Sequence, residues 1–185
     1  MKTSDIIEGK QINMQLCTLD YVTEKYVDWM NVTDVNQYIE TRFTEQTMDT
    51  VKEYVQSNLD SDDMLLLAMV DKENGTHIGN FHFSFNWRNK RCFIAYIIGE
   101  QSYWGRGIAT EAIRLATKWV FEHYDIARLD GALYAKNIGS GKAVLRAGFK
   151  QEGIRESYIL LDNGERDDMI EVGLTREDFE RQYYK

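Results

Sequence analysis

The sequence predicts a single domain, residues 1–185, of the α/β class, with helices flanking a mixed but mostly antiparallel sheet. Three observations support this fold class. Two amphipathic helical patterns come first, apolar runs of strand length then recur with Asn-Gly pairs between them, and a glycine pair leads from a strand straight into a helix. A length of 185 residues with 43% hydrophobic content is enough for one well-buried core.

The first third of the chain is predicted to form two short helices. Apolar side chains recur at intervals of three and four residues in Asp20–Met30 and again in Gln46–Leu59, with polar residues between them. Such a pattern gives each helix one apolar face. We therefore expect both helices to pack against a sheet that follows them in the chain.

An antiparallel hairpin is predicted next. Met64–Val70 is an apolar run of strand length, and Asn74-Gly75 is a strong two-residue turn signal. Aromatic residues then alternate along the returning strand, at Phe81, Phe83 and Phe85. The basic stretch Trp87–Arg91 is expected to form the exposed tip before the next strand.

The second half of the chain is predicted to alternate strands with helices and to end in a hairpin. The predicted elements are a strand at Phe93–Ile98, a helix from Ile108, a strand at Leu129–Tyr134, a helix ending at Gly148, and strands at Ser157–Leu161 and Met169–Leu174. Asn163-Gly164 supplies the turn of the terminal hairpin.

The glycine pair at Gly105 and Gly107 marks a candidate anion-binding site. Without side chains at these positions, successive backbone N–H groups can point at one ligand, and the helix that begins near Ile108 adds the positive end of its dipole. Backbone amides at the start of a helix are a common phosphate-binding arrangement. The segment therefore predicts an anion cradle.

Three other interpretations compete for the glycine-rich segments. A glycine pair before a helix is often only a tight entry turn. A dinucleotide-binding fingerprint needs a third glycine where this chain has Thr110. The sequence GSGK at Gly139–Lys142 is not a phosphate-binding P-loop, because Lys136 and Ala143 occupy its first and last defining positions.

Composition restricts the partners and the compartment. The net charge of −8 argues against nucleic acid, since phosphate backbones are bound by an excess of Lys and Arg, and it tolerates a cationic amine. No apolar run reaches membrane-spanning length, and Met1–Lys10 lacks the apolar stretch of a secretory signal. We expect a cytoplasmic protein with no membrane partner.

Metal binding is not expected. The two cysteines, Cys17 and Cys92, have no metal-ligand spacing, and the three histidines, His77, His82 and His123, are scattered along the chain. The cysteines are expected to be reduced thiols.

The segment WGRGIA, Trp104–Ala109, resembles the pyrophosphate-binding signature of the GNAT superfamily of acyl-CoA-dependent N-acetyltransferases. In that family the pattern is Gln/Arg-x-x-Gly-x-Gly/Ala, whose last two fixed positions are filled by Gly107 and Ala109. Trp104 departs from the first position and is similar to the branch that contains the ribosomal-protein-alanine N-acetyltransferases. Linked motifs extend the resemblance, at IGNFHF (78–83), AYIIGE (95–100) and NIGSGKAVLRAGFKQEG (137–153).

The resemblance implies a strongly twisted sheet in which two central strands splay apart and admit the pantetheine arm of acetyl-CoA. Residues at the splay, in the cradle and on the second helix are then implied to bind this co-substrate. They are Ile97, Ile98, Trp104, Gly105, Arg106, Gly107, Ala109, Thr110, Asn137, Ser140 and Lys142. Outside this resemblance, Asn137 reads as a helix N-cap, and Arg106 and Lys142 read as surface charges.

The chemistry that the resemblance implies is direct attack of an amine on the acetyl thioester through a tetrahedral intermediate. The candidate acids are Ser140, Tyr134 or a water molecule, and the candidate bases are Glu40, Asp168 and His82, each with a structural interpretation as the alternative. Two positions depart from the family. Phe93 stands where many relatives carry a glutamate, and Val144 stands where many carry a tyrosine.

The acceptor is expected to contact the segment Val35–Phe43, with Tyr38, Glu40 and Arg42 as candidate ligands. We expect a small-molecule primary amine, namely an amino sugar, a nucleotide-linked amino sugar or a polyamine. The alternatives are a protein N-terminus, or a catalytically silent module of this fold that binds CoA. The resemblance is also compatible with a homodimer.

Overall fold

The structure, a computed structural model, describes residues 5–184, which form a mixed sheet of eight strands with helices on both faces. The strands are β1 (Ile6–Glu8), β2 (Ile12–Leu16), β3 (Met64–Asp71), β4 (His77–Asn86), β5 (Arg91–Ile98), β6 (Arg128–Tyr134), β7 (Lys150–Leu160) and β8 (Arg166–Thr175). The helices are α1 (Glu24–Asn31), α2 (Thr33–Asn36), α3 (Met48–Leu59), α4 (Ile108–His123), α5 (Ile138–Arg146) and α6 (Arg176–Tyr183).

The strand order β1-β2-β3-β4-β5-β6-β8-β7 contains one parallel pair, β5 and β6. These two strands pair only at their beginnings, where Arg91, Cys92 and Phe93 face Arg128, Leu129 and Asp130. Beyond these residues the two strands part, although each continues for several residues. The predicted fold class, with its mostly antiparallel sheet and splayed central strands, is confirmed.

The sheet is buried on both faces because apolar residues occupy successive positions of its central strands. In β3, Leu65 and Leu67 belong to the core beneath α4, whereas Leu66 and Ala68 belong to a second core beneath α1 and α3. A strand covered on both faces reads as a continuous apolar run instead of an alternating one. This explains why Met64–Val70 was recognisable as a strand from its composition.

Several element boundaries differ from the prediction. The expected helix at Asp20–Met30 begins only at Glu24, because Thr23 accepts a hydrogen bond from the Tyr26 amide as its N-cap. Strands β1 and β2 were missed because they are short. Helix α6 was missed because Phe179 is its one buried residue and so gives no apolar stripe. The strand predicted at Ser157–Leu161 begins seven residues earlier, along an exposed edge whose residues are mostly polar.

Glu111, in the first turn of α4, binds the turn between β1 and β2 to this helix through hydrogen bonds. Its carboxylate accepts hydrogen bonds from the amides of Lys10 and Gln11, at 2.6 and 2.8 Å, and from the Gln11 side chain at 2.9 Å. Burial alone would raise the pKa of Glu111, but these hydrogen bonds outweigh it and lower the pKa. A negative charge in a first turn also interacts favourably with the helix dipole.

We expect Glu111→Ala to destabilise the protein by about 1–2 kcal/mol, a drop of a few degrees in the thermal midpoint, because the Lys10 and Gln11 amides lose a charged acceptor. A lowered folded-state pKa means that the stabilisation is present above the unfolded pKa of about 4.3 and is lost as pH falls through the folded value. Thermal melts of both proteins from neutral to acidic pH should therefore converge. A midpoint difference that stays constant down to pH 3 would contradict this account.

Four sequence expectations concern the N-terminal segment, membrane spans, metal sites and the cysteines. Met1–Lys10 is not expected to be a secretory signal. Residues 1–4 of this segment lie outside the described residues, as does Lys185. Within residues 5–184, no helix combines the length and apolarity needed to cross a membrane, and no group of three His, Cys, Asp or Glu side chains forms a potential metal site. Cys17 and Cys92 are free, and burial raises the pKa of each thiol to about 12.

Candidate active site

A cleft of about 650 Å³ occupies the space where β5 and β6 part. One wall is the second half of β5, the opposite wall is β6 with the start of α5, and the N-terminus of α4 lies at one end. Residues of the segment 34–39, which includes part of α2 and precedes a 3-10 turn at Glu40–Phe43, lie at the other end. The cleft therefore joins the predicted anion cradle to the segment predicted to contact the acceptor.

The cradle has the backbone geometry that its glycines predict. Gly105 and Gly107 adopt φ values of +73° and +84°, which other L-residues rarely adopt. A Cβ atom built at either position would have no neighbour within 4 Å, so the space above the backbone is open. Because Gly107 is the N-cap of α4, the first-turn amides receive no capping side chain and stay available to a ligand.

Trp104 connects the cradle to the splayed strand. Its indole N–H donates a hydrogen bond of 2.8 Å to the carbonyl of Ile98, the last residue of β5. The Ile98 carbonyl therefore has one of its two lone pairs engaged and can still accept one hydrogen bond from a ligand. The guanidinium of Arg106 lies 5.2 Å from the centre of the Tyr103 ring, and Arg106 does not line the cleft.

The start of α5 places two hydroxyl groups in contact across the cleft. Asn137 is the N-cap of this helix and accepts a hydrogen bond from the Ser140 amide at 3.1 Å, as its structural interpretation predicted. The Ser140 hydroxyl lies 2.8 Å from the phenol oxygen of Tyr96 on β5. Lys142 lines the same cleft and is exposed.

At the acceptor end, Tyr134 lies between Glu40 and Arg42. The Tyr134 hydroxyl donates to the Glu40 carboxylate and accepts a hydrogen bond of 2.6 Å from Arg42. Burial, followed by the contact with Glu40, raises the pKa of Tyr134 to about 12. The phenol therefore keeps its proton at neutral pH and directs it at Glu40, away from any group in the cleft.

Arg42 connects the Glu40–Phe43 turn to the sheet through hydrogen bonds of its guanidinium group. Its side chain is only 2% exposed, and its guanidinium donates to the Ile39 carbonyl at 2.9 Å, the Leu160 carbonyl at 2.7 Å and Asp162 at 3.1 Å, in addition to Tyr134. Each guanidinium nitrogen is thus engaged. Arg42 links the Glu40–Phe43 turn, β6 and the turn between β7 and β8 into one unit.

A second cavity, of about 480 Å³, lies on the opposite face of the sheet at the same splay. The exposed ring of Phe93 lines it, and it shares Gly131 and Ala132 with the cleft. Its acidic residues are paired with arginines: Arg128 contacts Asp130 and Glu152 at 2.7 and 2.6 Å, and Arg155 contacts Glu171. The charges in this cavity are therefore largely compensated.

The cleft brings together most of the residues predicted from the sequence and leaves out several. Those that line it are Tyr38, Ile97, Ile98, Trp104, Gly105, Gly107, Ala109, Thr110, Tyr134, Asn137, Ser140 and Lys142. Arg106, Glu40, Arg42 and Asp168 do not line it. Asp168 instead accepts the Ser157 amide at 2.8 Å, beside an irregularity of β7 where Ser157 has φ +50°.

His82 lies outside the cleft, whereas Tyr96, which was not among the predicted site residues, lines it. His82, a candidate base, lies on β4 with its Nε2 buried and without a hydrogen-bond partner among the described residues, and burial lowers its pKa. Tyr96 was missed by sequence reasoning, although it lies within the AYIIGE motif. The signal that could have identified Tyr96 is a tyrosine within the strand that leads into the glycine pair, because its hydroxyl group lies near the predicted ligand site.

Comparison with known proteins places the chain in a family. The model of the acetyltransferase (GNAT) domain matches residues 16–150. The probable N-acetyltransferase YjcK of Bacillus subtilis (strain 168) is 29% identical over 87 residues, 47% of this chain and 48% of that protein. The ribosomal protein uS5-alanine N-acetyltransferase of Escherichia coli (strain K12) is 28% identical over 120 residues, 65% of this chain and 56% of that protein.

The matched stretch thus spans about half the length of these curated relatives. Among solved structures, the spermidine N-acetyltransferase from Vibrio cholerae in complex with CoA and spermine superposes with a TM-score of 0.80 at 15% identity, covering 91% of this chain and 98% of that one. The family model covers well over half of the sequence. The chain therefore belongs to the GNAT acetyltransferase family, which confirms the resemblance drawn from its motifs.

Proposed function

We propose that this protein, acting as one domain over residues 1–185, transfers an acetyl group from acetyl-CoA to the primary amine of a small molecule. The observation that carries the proposal is the uncapped N-terminus of α4, which follows Gly105 and Gly107 and opens into the cleft between the parted strands. Amides and a helix dipole suit a pyrophosphate, and a parted pair of strands suits an extended pantetheine arm.

The residues that line the cleft support distinct roles in this reaction. Amides of residues 105–110 bind phosphate oxygens, and Lys142 offers a positive charge to a phosphate. The parted edge of β5 offers backbone N–H groups to the oxyanion of a tetrahedral intermediate. Ser140 is the candidate hydroxyl for the departing sulfur, because Tyr134 already directs its proton at Glu40. A water molecule bound near Glu40 is the proposed route for removing the amine proton.

The acceptor class that we favour is an amino sugar, free or linked to a nucleotide. Arg42 holds the Glu40–Phe43 turn against β6 and so fixes the width of the acceptor end, where the rings of Tyr38 and Tyr134 meet edge to face at 5.7 Å. Aromatic rings pack against sugar faces, whereas a polyamine needs unpaired carboxylates. The carboxylates of the second cavity are paired with arginines, and at the acceptor end Asp34 is the one carboxylate among the described residues that line the cleft, fewer than the several charges of a polyamine would pair with.

A protein N-terminus is the second candidate acceptor. The second cavity lies on a face of β5 and β6 where Phe93 is 41% exposed, and it reaches the splay through Gly131 and Ala132. An extended peptide could lie along this face with its terminal amine at the splay. The similarity to the Escherichia coli ribosomal-protein enzyme is a further reason to test this class.

The first test is ligand-dependent thermal stability. At a concentration of acetyl-CoA about a hundred times its dissociation constant, we expect a stabilisation of about 2.7 kcal/mol, or a rise of several degrees in the midpoint. NAD and ATP at equal concentrations serve as controls, since each carries phosphates but lacks pantetheine. Equal shifts with all three ligands would mean that the cleft is a general anion site and would contradict the proposal.

The second test is an acceptor panel in the presence of acetyl-CoA. Amino sugars, their nucleotide-linked forms, spermidine and short peptides are compared by the release of free CoA thiol. We expect the largest kcat/KM for an amino sugar. Turnover of peptides alone would assign the protein to N-terminal acetylation, and binding of acetyl-CoA without any turnover would identify a silent CoA-binding module.

A further inference from the structure

The contact between Tyr96 and Ser140 joins the two walls of the cleft. Tyr96 projects from β5 and Ser140 from the first turn of α5, and their oxygens are 2.8 Å apart. Both residues are half-buried, and both line the cleft. Val144, one helical turn further along α5, also lines the cleft but is aliphatic and has no proton to offer. Ser140 is therefore the hydroxyl that α5 presents at this level.

The chemistry of the two hydroxyls decides which of them donates the hydrogen bond. A phenol, with a pKa of about 10, is a far stronger acid than an aliphatic alcohol and hence the better donor. Burial raises the pKa of Tyr96, although its hydrogen bond with Ser140 opposes part of the rise. The phenol therefore stays protonated through the neutral range and donates to the Ser140 oxygen.

A serine whose oxygen accepts this bond must point its own proton elsewhere. The Ser140 amide is already bonded to Asn137, so the hydroxyl is the group of Ser140 that stays adjustable. With Tyr96 as a fixed donor, the direction towards Tyr96 is closed to the serine proton. The remaining directions include the interior of the cleft.

We propose that Tyr96 is a positioning residue that turns the proton of the Ser140 hydroxyl towards the sulfur of the departing CoA. When the carbon–sulfur bond breaks, sulfur keeps the electron pair, and the Ser140 proton forms a hydrogen bond to the resulting thiolate. Tyr96 keeps its own proton throughout, so no proton leaves the pair. This inference rests on the proposed acetyl transfer, because it assigns the thioester sulfur to the level of Ser140.

The first test removes only the phenol oxygen. Tyr96→Phe is expected to lower kcat about tenfold while leaving the KM for acetyl-CoA and the thermal midpoint close to those of the native protein, since one oriented hydrogen bond is lost. Tyr124→Phe is the matched control, because Tyr124 is a partly buried tyrosine packed against the same core and does not line the cleft. The control should retain full activity.

The second test asks whether Tyr96 acts through Ser140. In the Ser140→Ala background, Tyr96→Phe should cause no further loss of kcat, because the hydroxyl that it orients is already gone. If Tyr96→Phe lowers kcat by the same factor in both backgrounds, Tyr96 acts independently and the proposal is wrong. The proposal is also wrong if Tyr96→Phe leaves kcat unchanged.

A third measurement does not need turnover and so separates this inference from the proposed function. The pKa of the thiol of bound CoA is followed by the ultraviolet absorbance of its thiolate. We expect Tyr96→Phe and Ser140→Ala each to raise this pKa, by an amount equivalent to about tenfold less thiolate at a given pH. Lys136 and Lys142 also line the cleft and favour the thiolate, but they are identical in all the proteins compared.

A native protein that binds CoA but transfers no acetyl group would overturn the proposed function, while the thiol pKa would still decide the role of Tyr96. A bound-thiol pKa that is equal in the native protein and Tyr96→Phe would show that the pair does not face the sulfur. That result would refute the inference even if the native protein is an active acetyltransferase.

Discussion

Replacing Gly107 with valine is expected to weaken acetyl-CoA binding by about 100-fold or more. Gly107 has φ +84°, and a Cβ there would meet no protein atom within 4 Å, so the new side chain projects into the open space in front of the first-turn amides of α4. Loss of about two charge-assisted hydrogen bonds accounts for an effect of this size. Isothermal titration with acetyl-CoA measures it directly.

Gly75→Val is the matched control for Gly107→Val. Gly75 has φ +72° and equally open surroundings, but it lies in the turn between β3 and β4 and does not line the cleft; its neighbour Asn74 contacts the Tyr103 hydroxyl at 3.4 Å, outside the helix amides. Both variants therefore incur a similar backbone strain of about 1–2 kcal/mol and should show similar drops in thermal midpoint. If both lose acetyl-CoA affinity equally, or if neither does, the amides of the cradle are not the pyrophosphate site.

Arg42→Ala is expected to lower kcat/KM for the acceptor more than tenfold and the free energy of unfolding by about 2–4 kcal/mol. The side chain is nearly inaccessible and donates to Tyr134, Leu160 and Asp162, so its removal leaves a cavity and deprives the buried Tyr134 hydroxyl of its donor, whereas the exposed Leu160 carbonyl and Asp162 carboxylate can bond to water. The Glu40–Phe43 turn then keeps only the hydrogen bond from Tyr134 to Glu40, of the side-chain bonds described above, as its attachment to the sheet. Affinity for acetyl-CoA should stay unchanged, because the cradle is formed by a different part of the chain.

Arg42→Lys and Arg88→Ala complete this experiment. Lysine keeps the charge but not the planar fork of donors, so Arg42→Lys should lose stability and acceptor kinetics to an intermediate degree. Arg88, on the exposed tip between β4 and β5, should be replaceable by alanine without effect. Should Arg42→Ala lower the thermal midpoint while kcat/KM for every acceptor stays native, Arg42 would have a structural role alone.

The parts of the site that sequence reasoning found are those encoded locally. Gly105 and Gly107 are informative because two closely spaced glycines before an amphipathic helix indicate backbone with positive φ, which the structure has. The strand before them is recognisable from its apolar run. The order of the central elements followed from the same local signals. Asn137 was likewise readable as an N-cap from its position alone.

The parts that sequence reasoning missed depend on contacts between distant segments. Arg42 was expected to contact the acceptor. Its guanidinium N–H groups instead donate to residues that lie 92 to 120 positions further along the chain. No local sequence pattern reveals such contacts. The pairing of Tyr96 with Ser140 spans 44 positions. Glu111 reads as a surface residue of an amphipathic helix until β1 and β2, which were missed, are placed beside it.

The short seam between β5 and β6 also bears on how the molecule assembles. Strands β1 to β5 are neighbours in the order of the chain, and β6, β7 and β8 form a second group, so the chain completes one half of the sheet before it begins the other. In the strand ladder the seam joins the halves through three residue pairs, and one apolar core packs against both halves. The cleft has one wall from each half. Catalytic competence is therefore a property of the docked halves, because the cradle directly follows β5 in the first half while Tyr134 and Ser140 belong to the second.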